Sequence, residues 1–184
     1  MEKEDKIKMF QSELNLIHDD DIREQVTDAI EDIDDYFFSI PASSTGKYHP
    51  AFALGDGGLV RHTKACVKIA VELLTLEMFQ SLLQYHVIII AALIFHDCKK
   101  NGDGEKYTKS NHPLLACDFL IKNIKIRIGL CSKIVPLIQS HMGQWNTDFK
   151  TGKVILPKPI TPLEKFVHLC DYLASRKFIE IKFE

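Results

Sequence analysis

The sequence "VIIIAALIFHDCKKNGDGEKY", residues 87–107, places a long apolar run directly before ionisable residues. Nine apolar residues run without interruption and end at His96 and Asp97, and a lysine pair and a glycine-rich polar segment follow. The β-branched residues at 87–90 would suit a buried strand. However, the apolar run extends back to residue 82, and about 15 residues is longer than an ordinary strand. We therefore predict a buried helix over 82–97.

The overall composition is that of a soluble globular domain. The chain has 184 residues, of which 46% are hydrophobic and 26% are charged, and this length suits one domain with a substantial core. No basic segment followed by an apolar stretch opens the sequence, and the nine-residue run is too short to span a bilayer. The five cysteines are odd in number and lack CxxC spacing, which favours free thiols. We expect a cytoplasmic protein without membrane association.

Charge is distributed unevenly along the chain. Residues 1–35 contain 13 acidic and 4 basic residues, a net charge of −9, whereas the remainder carries +7. The ordinary explanation is a solvated acidic helix pair at the N-terminus. The alternative is that the remainder of the molecule favours an anionic ligand. An excess of this size is far from the signature of a nucleic-acid-binding protein.

Apolar residues at helical spacing predict a mostly α-helical chain. Two such stripes predict an acidic helix pair over residues 1–38, with the aspartates at 19–21 capping its second helix. Pro113 is predicted to lie in the first turn of a helix, and Ser132 is predicted to begin another, with a proline near its start. Thr161, Pro162 and Glu164 have the pattern of a capping box with a first-turn proline.

Loops and a strand-like tail complete the organisation. Residues 40–58 and 143–160 are predicted to be long loops, and long ordered loops in compact domains tend to be functional. The tail "FIEIKFE" alternates apolar and polar residues, which predicts a strand. Its partner would be "KVILP" at 153–157 or a second subunit. We therefore predict a single all-α domain over residues 1–184, with either a small β-hairpin near the C-terminus or a homo-oligomer.

Side chains that bind metals recur on or beside these apolar helices. A single histidine in such a position is usually a hydrogen-bonded core residue. Asp171 is harder to explain, because it lies on a strongly apolar helix and a buried carboxylate is costly unless paired or metal-bound. Asp97 ends a core helix, where the helix dipole disfavours an anion unless a cation is near. The candidates are His62, His96, Asp97, His112, His141 and Asp171.

The chemistry of this set indicates a class of metal. Imidazole and carboxylate together suit Zn, Mn, Fe, Ni or Co better than Ca²⁺ or a structural zinc held by thiolates. The candidates lie far apart in sequence, so several helices would have to assemble the site, as in metal-binding helical bundles.

Five segments, in order, resemble the HD-domain superfamily, whose core motif is H…HD…D. "PASSTGKYHPAF" resembles the "PASTKYH" loop of small phage-type members, and "GGLVRHT" resembles their "GGLLEHT". "ALIFHDCKK" resembles "ALLHDIGK", with Lys100 at the family lysine and Lys99 in place of the usual glycine. "SHMG" resembles "WHMG", and "LCDYLASR" resembles the segment that carries the last aspartate. The resemblance covers residues 40–177 and implies an HD-domain helical bundle there, after the N-terminal helix pair.

The resemblance also implies a ligand set. His62, His96, Asp97 and Asp171 match the ligands of the single-metal family site. His112 and His141 match the additional histidines of two-metal members, in which Asp97 would bridge the ions. The implied cofactor is therefore one or two divalent ions, such as Mn, Fe, Ni, Co or Zn, with Mg as a further option.

The function that this resemblance implies is metal-dependent phosphohydrolysis. The bond cleaved would be a phosphomonoester or phosphodiester in a nucleotide or short nucleic acid, attacked by a metal-activated water that Asp97 orients. Lys100 is expected to act in catalysis and in substrate binding. Lys47 and His49 are expected to contact substrate, unless their loop only packs. Arg176 would contact phosphate, unless it is only a helix C-terminal charge.

Two other functions stay open at this level. Some HD proteins use the same six ligands to hold two irons and act as oxygenases on small polyols or phosphonates. A third option is a metal-containing nucleotide-binding protein that does not turn its ligand over. Cys98 follows Asp97 directly, but it is expected to be a buried thiol because the family position is apolar.

Overall fold

The computed structural model describes residues 1–123 and 125–177, and in that part the fold is all-α, as predicted. The described residues contain eight α-helices and three short 3₁₀ helices, with no regular strand. The 3₁₀ helices are Asp35–Phe38, Ala51–Ala53 and Glu77–Tyr85. The α-helices are α1 (Lys3–Met9), α2 (Gln11–Leu14), α3 (Asp20–Glu31), α4 (Gly58–Leu74), α5 (His86–Phe95), α6 (His112–Lys122), α7 (Ile128–Ser140) and α8 (Pro162–Ala174).

Helix α5 is the centre of the bundle. Every residue from Ile88 to Phe95 is buried, because α4, α7 and α8 all pack against this helix. A helix that is apolar on every side is stable only when it is enclosed in this way. The predicted helix over 82–97 is therefore confirmed, although its first residues belong to the preceding 3₁₀ helix.

The same stretch meets the length and composition of a membrane span. Among the described residues, Glu77–Phe95 forms a 19-residue apolar helical stretch, longer than the nine-residue run alone. Half of its apolar window is buried inside the fold. Core helices of soluble proteins have these same properties, so this is weak evidence for a span.

Helix starts follow local capping chemistry at two of the predicted positions. The Asp19 carboxylate accepts a hydrogen bond from the Ile22 backbone N–H at 3.0 Å, capping α3. At α8, the Thr161 hydroxyl accepts from the Glu164 N–H, and the Glu164 carboxylate accepts from the Thr161 N–H. These side chains satisfy backbone donors that have no partner within the helix.

The predicted start of α7 is wrong. The helix begins at Ile128, so that Ser132 and Pro136 both lie inside it. Arg127, at the N-cap, provides no side-chain cap, so the sequence carries no capping signal there. Pro136 is tolerated because the carbonyl group that it leaves without a partner belongs to Ser132, and both residues are exposed to water.

The second loop contains a short pairing that was not predicted. An isolated antiparallel bridge joins Thr147 to Val154 in the second loop. The tail strand predicted from "FIEIKFE" lies outside the described residues, so its pairing with 153–157 or with a second subunit stays a prediction.

The long first loop is fixed against the start of α4 by two adjacent glycines. Gly57 has a positive φ of 66°, and a Cβ on Gly58 would lie 2.3 Å from the Ala53 carbonyl oxygen. The Leu59 N–H donates to the carbonyl of Ile40 at 2.9 Å. Only glycine allows this close approach, which holds the N-terminal turn of α4 in place.

We expect Ile89→Ala to destabilise the protein by about 2–5 kcal/mol, because it opens a cavity at a fully buried position in α5. The matched control is Ile121→Ala on α6, where 62% of the residue is exposed and the change should stay within about 0.5 kcal/mol. Urea unfolding followed by circular dichroism measures both. Equal effects would show that α5 is not the core.

Candidate metal centre

The fold brings the six predicted ligand residues together at one point. His62 lies on α4 and Asp171 on α8, and the other four sit at the ends of helices. The side chains of the five most buried are at most 1% exposed, while that of Asp171 is 16% exposed. The six are His62, His96, Asp97, His112, His141 and Asp171.

One half of the cluster is centred on Asp171. Its Oδ1 atom lies 3.0 Å from Nε2 of His62 and 3.7 Å from Nε2 of His96. The Oδ2 atom of Asp97 lies 3.4 Å from Nε2 of His96 and 3.8 Å from Nε2 of His62. Two imidazoles and two carboxylates therefore face a common point.

The other half is built on the second oxygen of Asp97. Its Oδ1 atom lies 2.9 Å from Nε2 of His112 and 3.8 Å from Nε2 of His141. The two Nε2 atoms of these histidines are 3.3 Å apart. Asp97 thus directs one oxygen to each half of the cluster, which is the arrangement of a bridging carboxylate.

The backbone fixes which ring nitrogen faces the cluster. The Nδ1 atoms of His96, His112 and His141 lie 2.6–2.7 Å from the carbonyl oxygen three residues earlier. A carbonyl only accepts, so each Nδ1 must donate, and each neutral ring then presents a lone pair at Nε2. His96 and His141 follow α5 and α7 directly, where helix carbonyls lack partners of their own. This is the orientation in which histidine binds metals.

The residues present fit a bound cation. Nε2 of His96 and Oδ1 of Asp97 are buried and make no hydrogen bond, and an unsatisfied buried polar atom is costly. When both rings are neutral, the 3.3 Å contact between Nε2 of His112 and Nε2 of His141 brings two acceptor atoms together without a proton between them. A divalent cation would turn this contact into ligand bonds. A buried cluster of His, Cys and Asp side chains here could therefore hold a metal ion.

Electrostatics keeps both carboxylates ionised. Burial alone would raise the pKa of Asp97, but the positive charges of Lys100 and His96 hold it well below its usual range. Burial is likewise outweighed at Asp171, where the hydrogen bond from His62 lowers the pKa. His62 shows the reverse: burial opposes its charged form, yet neighbouring Cys66 and Asp171 raise its pKa to about 9.

Burial favours the neutral form of His141 and of His49. Burial lowers the pKa of His141 to about 3, assisted by the charge of His96. Burial also lowers the pKa of His49 to about 3, assisted by Lys100. A neutral imidazole is the form that binds a metal.

One member of the cluster was not predicted. Cys66 is fully buried, and its Sγ atom lies 3.6 Å from Nε2 of His62. The thiol belongs to a four-residue group with His62, His96 and Asp171, whose ligand atoms all lie within 4.8 Å of one another. The available signal was its position four residues after His62, on the same face of α4. Because Cys66 lies in the apolar stripe of α4, the sequence pattern indicated a core residue.

The two lysines after the His-Asp pair point in different directions. Lys100 donates a hydrogen bond to Oδ2 of Asp97, so it reaches the cluster. Its roles in catalysis and substrate binding stay predictions. Lys99 turns outward and pairs with Asp34 at 2.7 Å and with Asp103 at 3.3 Å. Lys99 therefore ties the centre of the fold to the N-terminal segment and stays out of the site.

A cavity of about 590 Å³ opens over the cluster. Asp97, His112, His141 and Asp171 are among the residues that line it. Residues 42–45 of the first loop form part of its wall, and the second loop contributes residues 142, 145 and 149.

The predicted substrate residues do not all reach this cavity. His49, Lys100 and Arg176 line it. Lys47 is exposed and does not line it, and its ammonium group lies over the ring of Tyr48 at 5.2 Å. A substrate contact by Lys47 stays a prediction that the geometry does not favour.

An aromatic platform on one side of the cavity was also not predicted. The rings of Trp145 and Tyr172 are nearly parallel, with centroids 5.8 Å apart. The Arg176 guanidinium lies over both rings, 5.0 Å from that of Trp145 and 4.6 Å from that of Tyr172. Stacking of this kind holds a cation and a flat apolar surface beside the metal cluster.

Gly143, the glycine of "SHMG", lies in close contact with the ring of His168 on α8. His168 Nδ1 donates to the His141 carbonyl at 2.6 Å, so it positions the turn that carries His141. Among the described residues, His168 makes no hydrogen bond to Asp171. Gly143 has a φ of 59°, and a Cβ there would lie 2.2 Å from the His168 ring. Glycine is therefore required on both backbone and steric grounds.

We expect His96→Ala to abolish tight binding of Zn²⁺ or Co²⁺. The dissociation constant should rise by more than about 100-fold, the upper limit for loss of a residue that only supports a ligand. The matched control is His18→Ala, an exposed histidine outside the cluster. Isothermal titration calorimetry measures both, and unchanged affinity of the His96 variant would contradict a metal site here.

Comparison with known proteins adds no family to this description. No family model, no curated protein and no solved structure matches the chain.

Proposed function

We propose that this chain is an HD-type, metal-dependent phosphohydrolase that acts on a nucleotide or a short phosphodiester. The observation that carries the proposal is the bridging geometry of Asp97, whose two oxygens face two separate groups of imidazoles. This arrangement lies at the floor of a cavity that Lys100 and Arg176 also line. A carboxylate shared between two metal positions suits in-line displacement at phosphorus.

The proposed cofactor is two divalent transition metal ions. When bound, they would lower the pKa of a water molecule toward neutrality and polarise a phosphoryl oxygen. His62, His96 and Asp171 would hold one ion, His112 and His141 the other, and Asp97 both. The carbonyl groups that accept from three of these histidines keep the rings fixed, so little reorganisation is needed when substrate binds.

Hydrolysis of a phosphate ester moves a proton and builds negative charge on the phosphoryl oxygens. Water supplies the oxygen that forms the new P–O bond, and the bond between phosphorus and the leaving oxygen breaks. The leaving alcohol takes a proton, and the phosphate product keeps the negative charge. Lys100, held against Asp97, is placed to donate a hydrogen bond to the phosphoryl group as charge builds on its oxygens.

The aromatic platform favours a nucleotide over a simple phosphate ester. Trp145 lines the cavity, with its ring nearly parallel to that of Tyr172, and bases stack on such rings with little sequence preference. Arg176 is a permanent cation on that surface and would neutralise part of a phosphate charge. Base and phosphate would thus be recognised by adjacent groups.

The test is turnover by the metal-loaded protein. Protein loaded with Mn²⁺, Co²⁺ or Ni²⁺ should hydrolyse at least one member of a panel of nucleotides, cyclic dinucleotides and short oligonucleotides. Asp97→Asn removes the bridging charge and should lower kcat by about 100-fold or more, the range for loss of one strong electrostatic contact. The control is Asp103→Asn, an exposed carboxylate outside the cavity, with activity expected to be unchanged.

Three results would contradict the hydrolase proposal. They are full metal loading without turnover of any substrate, nucleotide binding without hydrolysis, and two tightly bound irons with consumption of O₂. The second would indicate a binding protein, and the third an oxygenase.

We expect Trp145→Ala to raise KM for a nucleotide substrate by roughly 5- to 150-fold, because base stacking contributes about 1–3 kcal/mol. KM for a phosphate ester without a base, such as ribose 5-phosphate, should stay nearly constant. Trp145→Phe keeps a flat ring and should restore most of the nucleotide KM. Equal KM changes for both substrates would show that Trp145 only supports the loop.

A further inference from the structure

The thiol of Cys66 has surroundings unlike those of a packing cysteine. Cys117 and Cys131 donate to the backbone carbonyls of Val135 and Leu120, at 3.6 Å in each case. Cys66 instead meets an imidazole nitrogen, Nε2 of His62, at 3.6 Å. Its side chain is fully buried, so no solvent competes for the sulfur atom.

The distance from this sulfur atom to the imidazole of His62 is that between two ligands of one metal ion. Ligand bonds of 2.0–2.3 Å at tetrahedral angles place neighbouring nitrogen, oxygen and sulfur ligands roughly 3.3–3.6 Å apart. Sγ of Cys66 is 3.6 Å from Nε2 of His62. That nitrogen lies 3.0 Å from Oδ1 of Asp171, which lies 3.7 Å from Nε2 of His96.

A second observation points to a ligand at the same place. Nε2 of His96 is fully buried and makes no hydrogen bond, and its Nδ1 already donates to the Leu93 carbonyl. The atom belongs to the same four-residue group as the thiol. Nε2 of His96, which carries a lone pair when the ring is neutral, therefore lies among the ligand atoms of Cys66, His62 and Asp171.

We propose that Cys66 is a metal ligand in the half of the centre that also contains His62, His96 and Asp171. Binding would release the thiol proton to solvent and form a metal–sulfur bond, with no change of oxidation state. The inference rests on the metal centre of the proposed function, but not on its hydrolytic chemistry.

A sulfur ligand makes the two halves of the centre chemically unlike. Thiolate favours borderline and soft ions such as Zn²⁺, Co²⁺ and Cd²⁺, and it disfavours Mg²⁺ and Mn²⁺. The half formed by Asp97, His112 and His141 offers nitrogen and oxygen alone. We therefore expect the half that contains Cys66 to select a thiophilic ion, while the other half accepts a wider range.

X-ray absorption on the wild-type protein tests the ligand directly, without any variant. With one equivalent of Zn²⁺ bound, we expect a sulfur scatterer at about 2.3 Å from the metal. Co²⁺-loaded protein should show a thiolate-to-cobalt charge-transfer band in the near ultraviolet. Nitrogen and oxygen scatterers alone, with no such band, would overturn the proposal.

Substitution gives the selectivity. Cys66→Ser should raise the dissociation constant for Zn²⁺ by at least about tenfold, the lower limit for residues that only support a ligand, and change that for Mn²⁺ much less. The matched control is Cys117→Ser, a buried thiol on α6 outside the cluster, which should keep both affinities and the cobalt band. An equal loss for Zn²⁺ and Mn²⁺ on Cys66→Ser would overturn sulfur ligation.

The outcomes also separate this inference from the proposed function. A sulfur scatterer in a protein that hydrolyses no phosphate ester would keep Cys66 as a ligand and remove the hydrolase. An active phosphohydrolase whose metals show only nitrogen and oxygen ligands would do the reverse.

Discussion

The burial of two ionised carboxylates among four imidazoles is the constraint on which the rest of the structure depends. Asp97 is almost fully buried and Asp171 is partly buried, and charges removed from water must be matched by opposite charges or by ligand bonds. The matching groups come from α4 and α8, from the ends of α5 and α7, and from the first residue of α6, so those elements must meet at one point. The bundle is arranged around that meeting point.

Rigidity at this point comes from the backbone. Three histidines donate to the carbonyl three residues earlier, which makes ring orientation a property of the helix ends and their turns. The apolar length of α5 serves the same purpose, because a helix enclosed on every side cannot rotate without losing its contacts. His168 and Gly143 do the same for the turn at His141.

The cavity above the cluster joins two kinds of recognition. Asp97 and Lys100 line it as charged groups. Trp145 also lines it and presents a flat ring that lies nearly parallel to that of Tyr172. Cys66 belongs to the half of the cluster that contains His62, His96 and Asp171, and it adds a sulfur atom to the nitrogen and oxygen atoms of that half. A centre with unlike halves could bind two different ions from a mixed cellular supply.

The sequence by itself determined the helices, the burial of α5 and the residues that would converge. Local periodicity, capping residues and spaced motifs predict each of these features. It did not reveal the start of α7, the outward turn of Lys99, the aromatic platform or the place of Cys66. A helix that starts without a capping residue leaves no local signal in the sequence. A thiol in an apolar stripe has the pattern of a core residue. Which atoms of Cys66, His62 and Asp171 meet depends on how α4 packs on α8, across more than 100 residues of chain, and only the tertiary structure decides that.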